Sequence, residues 1–346
     1  MSKLFSNRYC SYKIPLNYKS KSNGIELEEQ IYEILNIFEV TLKHILNLHK
    51  IRSPIFVESI ENLNDGLNGE SPAKFMTNDG REFELIHSLA KWKRMQLDSL
   101  NLNPNQGIVT NMKAIRREEF MDNIHSIFVD QWDWEIKINK EDRNINTLID
   151  VVNNIFNAIY FTANMIENKY DIKNKLPREI KFITTQELEY KYPELSPKER
   201  ENKITKEFKA VCLIGIGHVL EKSGTPHDNR ASDYDDWSTP IEFNNIKTYG
   251  LNCDILLYNE VLEESLEICS MGIRVDKNAL LIQNTSLKES EYVNKILNEK
   301  LCYSIGGGIG QSRLLMYFLR KCHIGEVQVS SWVNKEWLIK NNINIL

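Results

Sequence analysis

The stretch from residue 304 to 321, SIGGGIGQSRLLMYFLRK, restricts the fold more than any other part of the sequence. It predicts a strand, a glycine loop that lets backbone approach another group closely, and a helix whose first turn carries Arg313. A cation there faces the unfavourable end of the helix dipole, so Arg313 is easier to explain if it reaches an anionic ligand. A glycine turn that only packs the helix on a sheet, with Arg313 in solvent, remains an open alternative.

Two familiar phosphate-binding loops do not fit this stretch. A Walker A loop requires a lysine that is missing here. The dinucleotide fingerprint fits Gly306 and Gly308, but Gln311 occupies its third glycine position. The chain after EVQVSSW is also too short for the further strands of a dinucleotide-binding domain. The sequence therefore disfavours both types of loop.

Composition narrows the function classes. The 346 residues carry a net charge of −5, which argues against a nucleic-acid surface. No apolar run reaches the roughly 18 residues of a membrane span, and the start MSKLFSNRYC has no secretory h-region. The six cysteines form no CxxC pair and are expected to be reduced. These features predict a cytoplasmic protein that binds neither nucleic acid nor membrane.

Periodicity predicts one domain of mixed α+β type with mainly hairpin-connected strands. Residues 24–48 have the spacing of an amphipathic helix, and the strand that follows contains Pro54, which indicates a sheet edge or an interface. REFELIHS is expected to be a strand and SLAKWKRMQL a helix with Ser88 as N-cap. Lys91 and Lys93 lie on different sides of this helix, so at most one is expected to face a shared site. Residues 145–170 form a long amphipathic helix pattern.

Polar residues alternate along the segment VDQWDWE. Period two places Gln131, Asp133 and Glu135 on one face and the two tryptophans with Asp130 on the other. The polar face could receive a cationic group such as an ammonium. A solvent-exposed sheet face would show the same pattern, so both interpretations stay open.

Further candidates lie at strand ends and in a hairpin. KAIRREE places Arg116 at the end of a strand, where a guanidinium suits phosphate or carboxylate, although strand-end arginines are common. RASDYDDWSTP carries Asp235, which could equally be a turn former. A hairpin turning near residues 259–262 would bring Asp254 and Glu267 opposite each other, and Mg²⁺ with substrate phosphates would relieve their repulsion. A register in which the two carboxylates diverge is the alternative.

Together these segments resemble ammonia-dependent asparagine synthetase, the aspartate–ammonia ligase family, which is related to class II aminoacyl-tRNA synthetases. The stretches that carry the resemblance are FELIHSLAKWKR, NMKAIR, VDQWDWE, RASDYDDWSTP, LNCDIL, SMGIRVD and GGGIGQSRL with HIGEVQ. They extend from about Asp65 to Trp332, and jointly they are highly specific.

The resemblance implies an α+β fold with the class II core, an antiparallel sheet flanked by helices, working as a homodimer. The whole chain, 1–346, would be a single catalytic domain. About 1–50 would be an amino-terminal segment with an interface helix, and about 51–335 the class II core.

The activity that the resemblance implies is ATP-dependent synthesis of L-asparagine from L-aspartate and ammonia, with Mg²⁺. The aspartate side chain would attack the α-phosphate of ATP to give a β-aspartyl-adenylate and pyrophosphate, and ammonia would displace AMP. The alternative is a class II aminoacyl-tRNA synthetase paralogue that activates aspartate or asparagine.

Roles for individual residues follow from matching positions in the family. The catalytic residues would be Arg116, which holds the α-phosphate and the reacting carboxylate, together with Arg313 and Asp235. Substrate would be held by Asp65, Lys93, Gln131 and Asp133, with the acids and Asp235 serving the ammonium and the entering nitrogen. Nucleotide contacts would come from Ser126, Val129, Asp254, Glu267, Ser270 and Arg313, and metal contacts from Asp254 and Glu267.

Two other classes of protein are less consistent with the sequence. A glutamine-dependent synthetase would need an amidotransferase domain with a cysteine nucleophile, and the chain begins Met-Ser without such a unit. A regulator that only binds aspartate or a nucleotide need not keep Arg116, Asp235, Glu267 and Arg313 together. No Ser-His-Asp or Cys-His constellation is recognisable, which suits adenylation because that reaction needs no protein nucleophile.

Overall fold

The computed structural model describes residues 2–64, 71–284 and 289–346. Its strands, numbered in chain order, are β1 Ser2–Ser6, β2 Ser11–Pro15, β3 Leu48–Lys50, β4 Phe56–Glu58, β5 Lys74–Met76, β6 Glu82–Leu85, β7 Gly107–Ile115, β8 Phe128–Lys137, β9 Lys181–Thr184, β10 Ala210–Ile214, β11 Pro240–Phe243, β12 Ile246–Tyr249, β13 Asn252–Asn259, β14 Glu264–Ile273 and β15 Ser304–Gly310. Its α-helices are α1 Gly24–Ile45, α2 Ala90–Ser99, α3 Ile145–Tyr170, α4 Thr185–Lys191, α5 Pro197–Phe208, α6 Lys277–Gln283, α7 Glu291–Leu297, α8 Gln311–Phe318 and α9 Lys335–Lys340.

An eight-stranded sheet forms the centre of the fold. Its strand order is β3-β7-β8-β15-β14-β13-β10-β9. The six strands from β7 to β10 pair antiparallel, while the edge strands β3 and β9 run parallel to their neighbours. The predicted antiparallel sheet is therefore confirmed, with a parallel strand added at each edge. The hairpin of β13 and β14 is also confirmed.

One face of this sheet is apolar and belongs to the main core. Trp132 and Trp134 on β8 are almost completely buried there, as are Met271 on β14 and Ile309 on β15. Helices α1 and α3 contact each other and contribute Phe38 and other apolar side chains to the same cluster. The alternation predicted along β8 is confirmed, because the two tryptophans lie on the core side.

The glycine run is a strand, so the predicted glycine loop is wrong. Gly306, Gly308 and Gly310 occupy alternate positions of β15 and pair with Glu135, Asp133 and Gln131 on β8. On this face of β15 only Ser304 carries a side chain, and α8 begins at the residue after Gly310. In IGGGIG, residues 305–310, every even position is glycine, while the two isoleucines occupy odd positions and therefore point to the opposite face of the strand. The glycine face leaves room beside β15 for the polar side chains of β8.

Several predicted elements differ in their bounds. The helix predicted for residues 24–48 ends at Ile45, and the long helix of residues 145–170 is confirmed. Pro54 precedes the strand that was expected to contain it, because β4 begins at Phe56 and belongs to a separate sheet of order β4-β6-β5. The prediction of Ser88 as N-cap of α2 is wrong, because the helix begins at Ala90 and Leu89 is its cap residue; the Ser88 hydroxyl still accepts from the amide of Ala90 at 3.2 Å.

Within the described ranges, no helix combines the length and the apolar character that crossing a membrane requires. All six cysteines are free thiols.

The glycine face of β15 leads to a stability prediction. A Cβ at position 306 would overlap the Glu135 carboxylate and lie 2.7 Å from Nη2 of Arg274. Because these two side chains form a buried ion pair, Gly306→Ala should lower the free energy of unfolding by about 3 kcal/mol. Gly310→Ala is the matched control, since its Cβ would meet nothing closer than Cβ of Arg313 at 3.4 Å. Urea unfolding of both variants tests this, and equal midpoints would contradict it.

Candidate active site

A cavity of about 1090 Å³ lies over the polar face of the sheet. Its walls come from α2, β8, β14, the start of α8, the loop between β7 and β8, and residues 229–235. Ten of the residues singled out from the sequence line it, namely Lys93, Arg116, Ser126, Val129, Gln131, Asp133, Asp235, Glu267, Ser270 and Arg313. Segments that lie far apart in the chain thus meet at one cavity.

Of the predicted residues that the structure describes, only Asp254 is not among those that line the cavity. Asp65 lies outside the described residues. Asp254 is buried behind the wall and forms an ion pair with Arg230, whose Nη2 donates to Oδ1 at 2.6 Å. In the β13–β14 hairpin, Asp254 faces Ser270 while Leu256 faces Glu267, with an irregularity in the ladder between them. The two acids are therefore diagonal neighbours across the hairpin. The sequence had predicted that they lie roughly opposite each other.

Lys93 and Asp133 form a buried pair on the floor of the cavity. Nζ of Lys93 lies 2.6 Å from Oδ1 of Asp133 and donates to the carbonyl of Gly307 at 2.8 Å. Both side chains are about 95 % buried or more. The second carboxylate oxygen of Asp133 has no hydrogen-bond partner among the described residues. Since an unpaired buried carboxylate oxygen is costly, this atom is suited to accept from a ligand.

A second buried network lies beside this pair. Arg274 donates to Glu135, with Nη2 to Oε2 at 2.8 Å, and also contacts Asp235 through Nη1. Ser304 adds a hydrogen bond of 2.7 Å to Glu135. Burial raises the pKa of Glu135, but the charge and hydrogen bonds of Arg274, the charge of Lys93 and the hydrogen bond from Ser304 together outweigh burial and lower it. Glu135 is therefore ionised, and Arg274 links it to Asp235 at the cavity wall.

Arg230 connects Asp235 to the β13–β14 hairpin. Nη1 donates to the Ser270 hydroxyl at 2.5 Å, and Nε lies 3.6 Å from Oδ2 of Asp235. Burial, together with the nearby carboxylate of Glu267, raises the pKa of Asp254 to about 7 despite the Arg230 pair. Arg230 thus pairs with two carboxylates, those of Asp235 and Asp254.

Two arginines stand at the other end of the cavity. Arg313 donates from Nη1 to the carbonyl of Glu267 at 3.1 Å and from Nε to the carbonyl of Ile124 at 3.4 Å. Burial raises the pKa of Glu267, but Arg313 and Arg230 outweigh it and lower the pKa. Arg116 follows the end of β7, and its nearest acidic partner in the described chain, Glu119, is 4.0 Å away. Its buried Nε has no hydrogen-bond partner among the described residues.

The expectation that at most one of two lysines of α2 faces the site is wrong. Both Lys91 and Lys93 line the cavity. Lys91 reaches Oδ2 of Asp233 at 2.5 Å, while Lys93 points to the sheet. The long, flexible lysine side chains overcome the angular separation of their Cα atoms on the helix.

Sequence reasoning assigned no role to Arg230 or Arg274. Both occupy stretches that carry the family resemblance, but neither has a local pattern that marks it. The available signal was Glu135 on an otherwise buried strand, since a buried carboxylate requires a cation. Finding that cation needs the strand order, because Arg274 lies 139 positions further along the chain.

The side chains near the cavity can be compared with the ligand sets that bind a divalent cation. No cluster of three or more histidine, cysteine, aspartate or glutamate side chains with metal-site geometry occurs in the described part of the chain. Mg²⁺ commonly takes only one or two carboxylates and completes its shell with water and substrate phosphates. Glu267, which lines the cavity with 42 % of its side chain exposed, fits that type of site, and Asp254 lies diagonal to it behind the cavity wall.

Comparison with known proteins identifies the family. The profile of the family described as aspartate–ammonia ligase matches residues 25–342. The aspartate–ammonia ligase of Clostridium tetani is 49% identical over 334 residues, covering 93% of this chain and 94% of the relative. The enzyme of the same name from Clostridium perfringens SM101 is 46% identical over 346 residues, covering 96% and 98%.

Solved structures of class II aminoacyl-tRNA synthetases share the fold. Asparaginyl-tRNA synthetase of Entamoeba histolytica, in complex with asparaginyl-adenylate, superposes with a TM-score of 0.60 at 16% identity, covering 87% of this chain and 66% of the synthetase. The Pyrococcus horikoshii enzyme, complexed with the same adenylate, gives 0.60 at 16%, covering 88% and 68%. The expected class II core is therefore confirmed. On the match along nearly its whole length and on this fold, the chain belongs to the aspartate–ammonia ligase family.

Proposed function

We propose that this protein makes L-asparagine from L-aspartate and ammonia through a β-aspartyl-adenylate, releasing AMP and pyrophosphate, in the cavity over the sheet. One observation carries the assignment of roles. Arg116 and Arg313 both bond to the loop that precedes β8, whereas Asp133 lies on β8 itself and Asp235 is held by Arg274. The first pair suits a triphosphate and the second an ammonium, so one cavity can hold both reactants.

Activation of aspartate requires positioning and charge neutralisation at phosphorus. Arg116 is suited to this because its guanidinium keeps a free Nε and has no close acidic partner in the described chain. It would hold the α-phosphate beside the attacking carboxylate and stabilise the charge that develops on phosphorus. Arg313, fixed by Glu267 and Ile124, would contact the adenine and phosphate region.

Aspartate would bind over the buried ion pairs. Its ammonium would meet Asp235 and the free oxygen of Asp133, and Lys93 and Gln131 would complete the contacts. Arg274 holds Asp235 from behind, so this carboxylate is oriented before the substrate arrives. The sequence also placed Asp65 in this group, and that assignment stays a prediction.

Ammonia would then attack the activated carbonyl carbon of the adenylate. The new C–N bond forms as the C–O bond to phosphate breaks, AMP leaves with the electron pair, and the nitrogen loses a proton. Asp133 and Asp235 are the carboxylates placed to orient the entering nitrogen and take that proton.

The nucleotide would lie between the loop and the hairpin. Ser126 and Val129 would line the adenine pocket, and Ser270 would contact the phosphate region. Glu267 and Asp254 would hold Mg²⁺, which supplies positive charge to the phosphate oxygens. Burial and the nearby carboxylate of Glu267 raise the pKa of Asp254, and a cation between these two acids would offset both effects.

We also propose a homodimer in the cytoplasm. Support for the dimer comes from α1, on which Ile25, Tyr32 and Val40 each expose more than half of their side-chain surface. Exposed apolar residues of this size along one helix are typical of a subunit interface.

The reaction products test the proposed function directly. Protein incubated with ATP, Mg²⁺, aspartate and ammonium should yield asparagine and AMP in equal amounts. Glutamine in place of ammonium should support much less turnover. ADP as the product, or charging of tRNA with aspartate or asparagine, would contradict the proposal.

The two arginines can be tested by substitution. Arg116→Ala and Arg313→Ala should each lower kcat/KM by about 3 kcal/mol of transition-state stabilisation, because each removes positive charge from the triphosphate. Arg117→Ala is the matched control, since Arg117 is exposed and pairs only with Glu118 among described residues. Steady-state kinetics with ATP varied provide the measurement. Arginine variants as active as Arg117→Ala would remove these roles.

The metal assignment predicts a pH dependence. Because the pKa of Asp254 is raised to about 7, its carboxylate is mostly protonated below pH 7 and mostly ionised above it. The Mg²⁺ concentration for half-maximal rate should therefore rise as pH falls from 8 to 6. Asp254→Asn should raise this concentration about tenfold at pH 8 and flatten the pH dependence. Asp228→Asn, an exposed acid near the cavity, should leave both unchanged. An unaltered Mg²⁺ requirement in Asp254→Asn would remove Asp254 from the metal site.

A further inference from the structure

The amino-terminal hairpin of β1 and β2 lies before residue 25, where the match to the family profile begins. Its outer edge pairs with the loop of residues 116–127, which joins β7 to β8. The amide of Ser11 donates to the carbonyl of Met121 at 3.0 Å, and the amide of Met121 donates to the carbonyl of Tyr9 at 3.2 Å. Cys10 of the hairpin thus forms a single β-bridge with Met121 at the tip of this loop.

Asn123 joins the loop to two other segments. Its Oδ1 accepts from the amide of Lys13 at 2.7 Å, and its Nδ2 donates to the carbonyls of Lys13 at 2.8 Å and Cys322 at 2.6 Å. Its backbone carbonyl accepts from Ile324 at 2.8 Å. Asn123 is 93 % buried, so these bonds replace water that it cannot reach.

The loop forms the nucleotide end of the cavity. Ile124, His125 and Ser126 line it directly after Asn123, and Arg116 lines it at the first stem. The carbonyl of Ile124 accepts from Nε of Arg313. A shift of Asn123 would therefore move the groups around Arg313.

The hairpin is itself fixed to the core. Cys10, Tyr12 and Ile14 of this segment are buried in the main cluster. The Tyr12 hydroxyl donates to the carbonyl of Val333 at 2.9 Å. Further along, the Tyr18 hydroxyl donates to Glu326 at 2.8 Å. An element anchored in this way can hold a loop that lacks regular secondary structure of its own.

We propose that the β1–β2 hairpin positions the loop of residues 116–127 for ATP, with Asn123 as the positioning residue. The inference rests on the proposed function, which places ATP at this end of the cavity. Loosening the hairpin contact should weaken ATP binding and leave aspartate binding nearly unchanged. Lys93, Asp133 and Asp235 belong to the other end of the cavity and are held by buried ion pairs that the hairpin does not touch.

Lys13→Pro is the most selective test. In an antiparallel ladder, hydrogen-bonded and non-hydrogen-bonded residue pairs alternate. Asn7 and Cys10 form a hydrogen-bonded pair at the turn, so the pair of Leu4 and Lys13, three positions away, is not hydrogen-bonded. The amide of Lys13 therefore points away from β1 and donates to Asn123. Proline removes that amide while sparing the bonds between β1 and β2. The KM for ATP should rise about tenfold, with kcat and the KM for aspartate within about twofold of wild type, as a misplaced positioning loop would give.

Two controls match this variant. Leu4→Pro makes the same substitution opposite Lys13 on β1, where the amide points away from both β2 and the loop. Lys13→Met removes the contacts of Nζ with Glu264 and Leu262 but keeps the amide. Both should retain the wild-type KM for ATP. If either control shifts this KM as much as Lys13→Pro does, the Asn123 contact is not the cause and the proposal fails.

Amide hydrogen exchange of the free protein provides a measurement that does not depend on activity. Exchange at residues 117–127 should be faster in Lys13→Pro than in wild type and in the two controls, with the rest of the sheet unchanged. Asn123→Ala, which leaves the hairpin intact, should give the same exchange and the same rise in KM for ATP. If Lys13→Pro unfolds, Asn123→Ala alone decides.

The outcomes separate this inference from the proposed function. Wild-type formation of asparagine and AMP tests the function alone. Unchanged loop exchange in Lys13→Pro and Asn123→Ala would overturn the hairpin's role even if that reaction occurs. Equal losses for ATP and aspartate would also overturn it, because they would indicate general destabilisation.

Discussion

The constraint on which the site depends is that charges buried beneath a cavity must be paired within the protein. Glu135 is completely buried and is held by Arg274, which also reaches Asp235. Lys93 and Asp133 form a second pair on the same face of the sheet. Removing one partner of such a pair leaves an uncompensated charge and is costly. The cavity floor is therefore a set of mutually fixed charges that are oriented before any ligand binds.

These pairs require space that the glycine positions of the neighbouring strand supply. Beside β8, the cavity face of β15 presents Gly306, Gly308 and Gly310. A side chain at position 308 would overlap the amide oxygen of Gln131, as one at 306 would overlap Glu135. The opposite face of β15 carries Ile305 and Ile309, which are buried in the core. One face of β15 thus packs into the apolar core, and its other face leaves space for the polar side chains of β8.

Much of the fold and site was predictable because the relevant patterns are local. Alternation along β8, the long helix α3 and the β13–β14 hairpin follow from periodicity over short segments. The glycine strand was misinterpreted as a loop, since glycine is common in both and the neighbouring polar side chains that explain it lie elsewhere in the sequence. Arg230, Arg274 and Asn123 were not identified for the same reason. Their roles come from partners far away in the chain, and a sequence pattern does not specify those contacts.

The distribution of charge within the cavity also explains how one fold can direct two different steps. At the end proposed for the nucleotide, Arg313 and Arg116 supply cations, and Arg313 is fixed by backbone carbonyls from two segments. At the other end, Lys93 and Arg274 hold Asp133 and Asp235, and Asp133 keeps one oxygen without a hydrogen-bond partner among the described residues. An anionic leaving group and a cationic amine would be drawn to opposite ends. The reacting carboxyl carbon would lie between them, where the first end stabilises AMP as it leaves and the second orients the entering nitrogen. Because no protein nucleophile takes part, the fixed charges must supply the rate enhancement by preorganisation. This requirement accounts for the rigid ion-pair floor beneath the site.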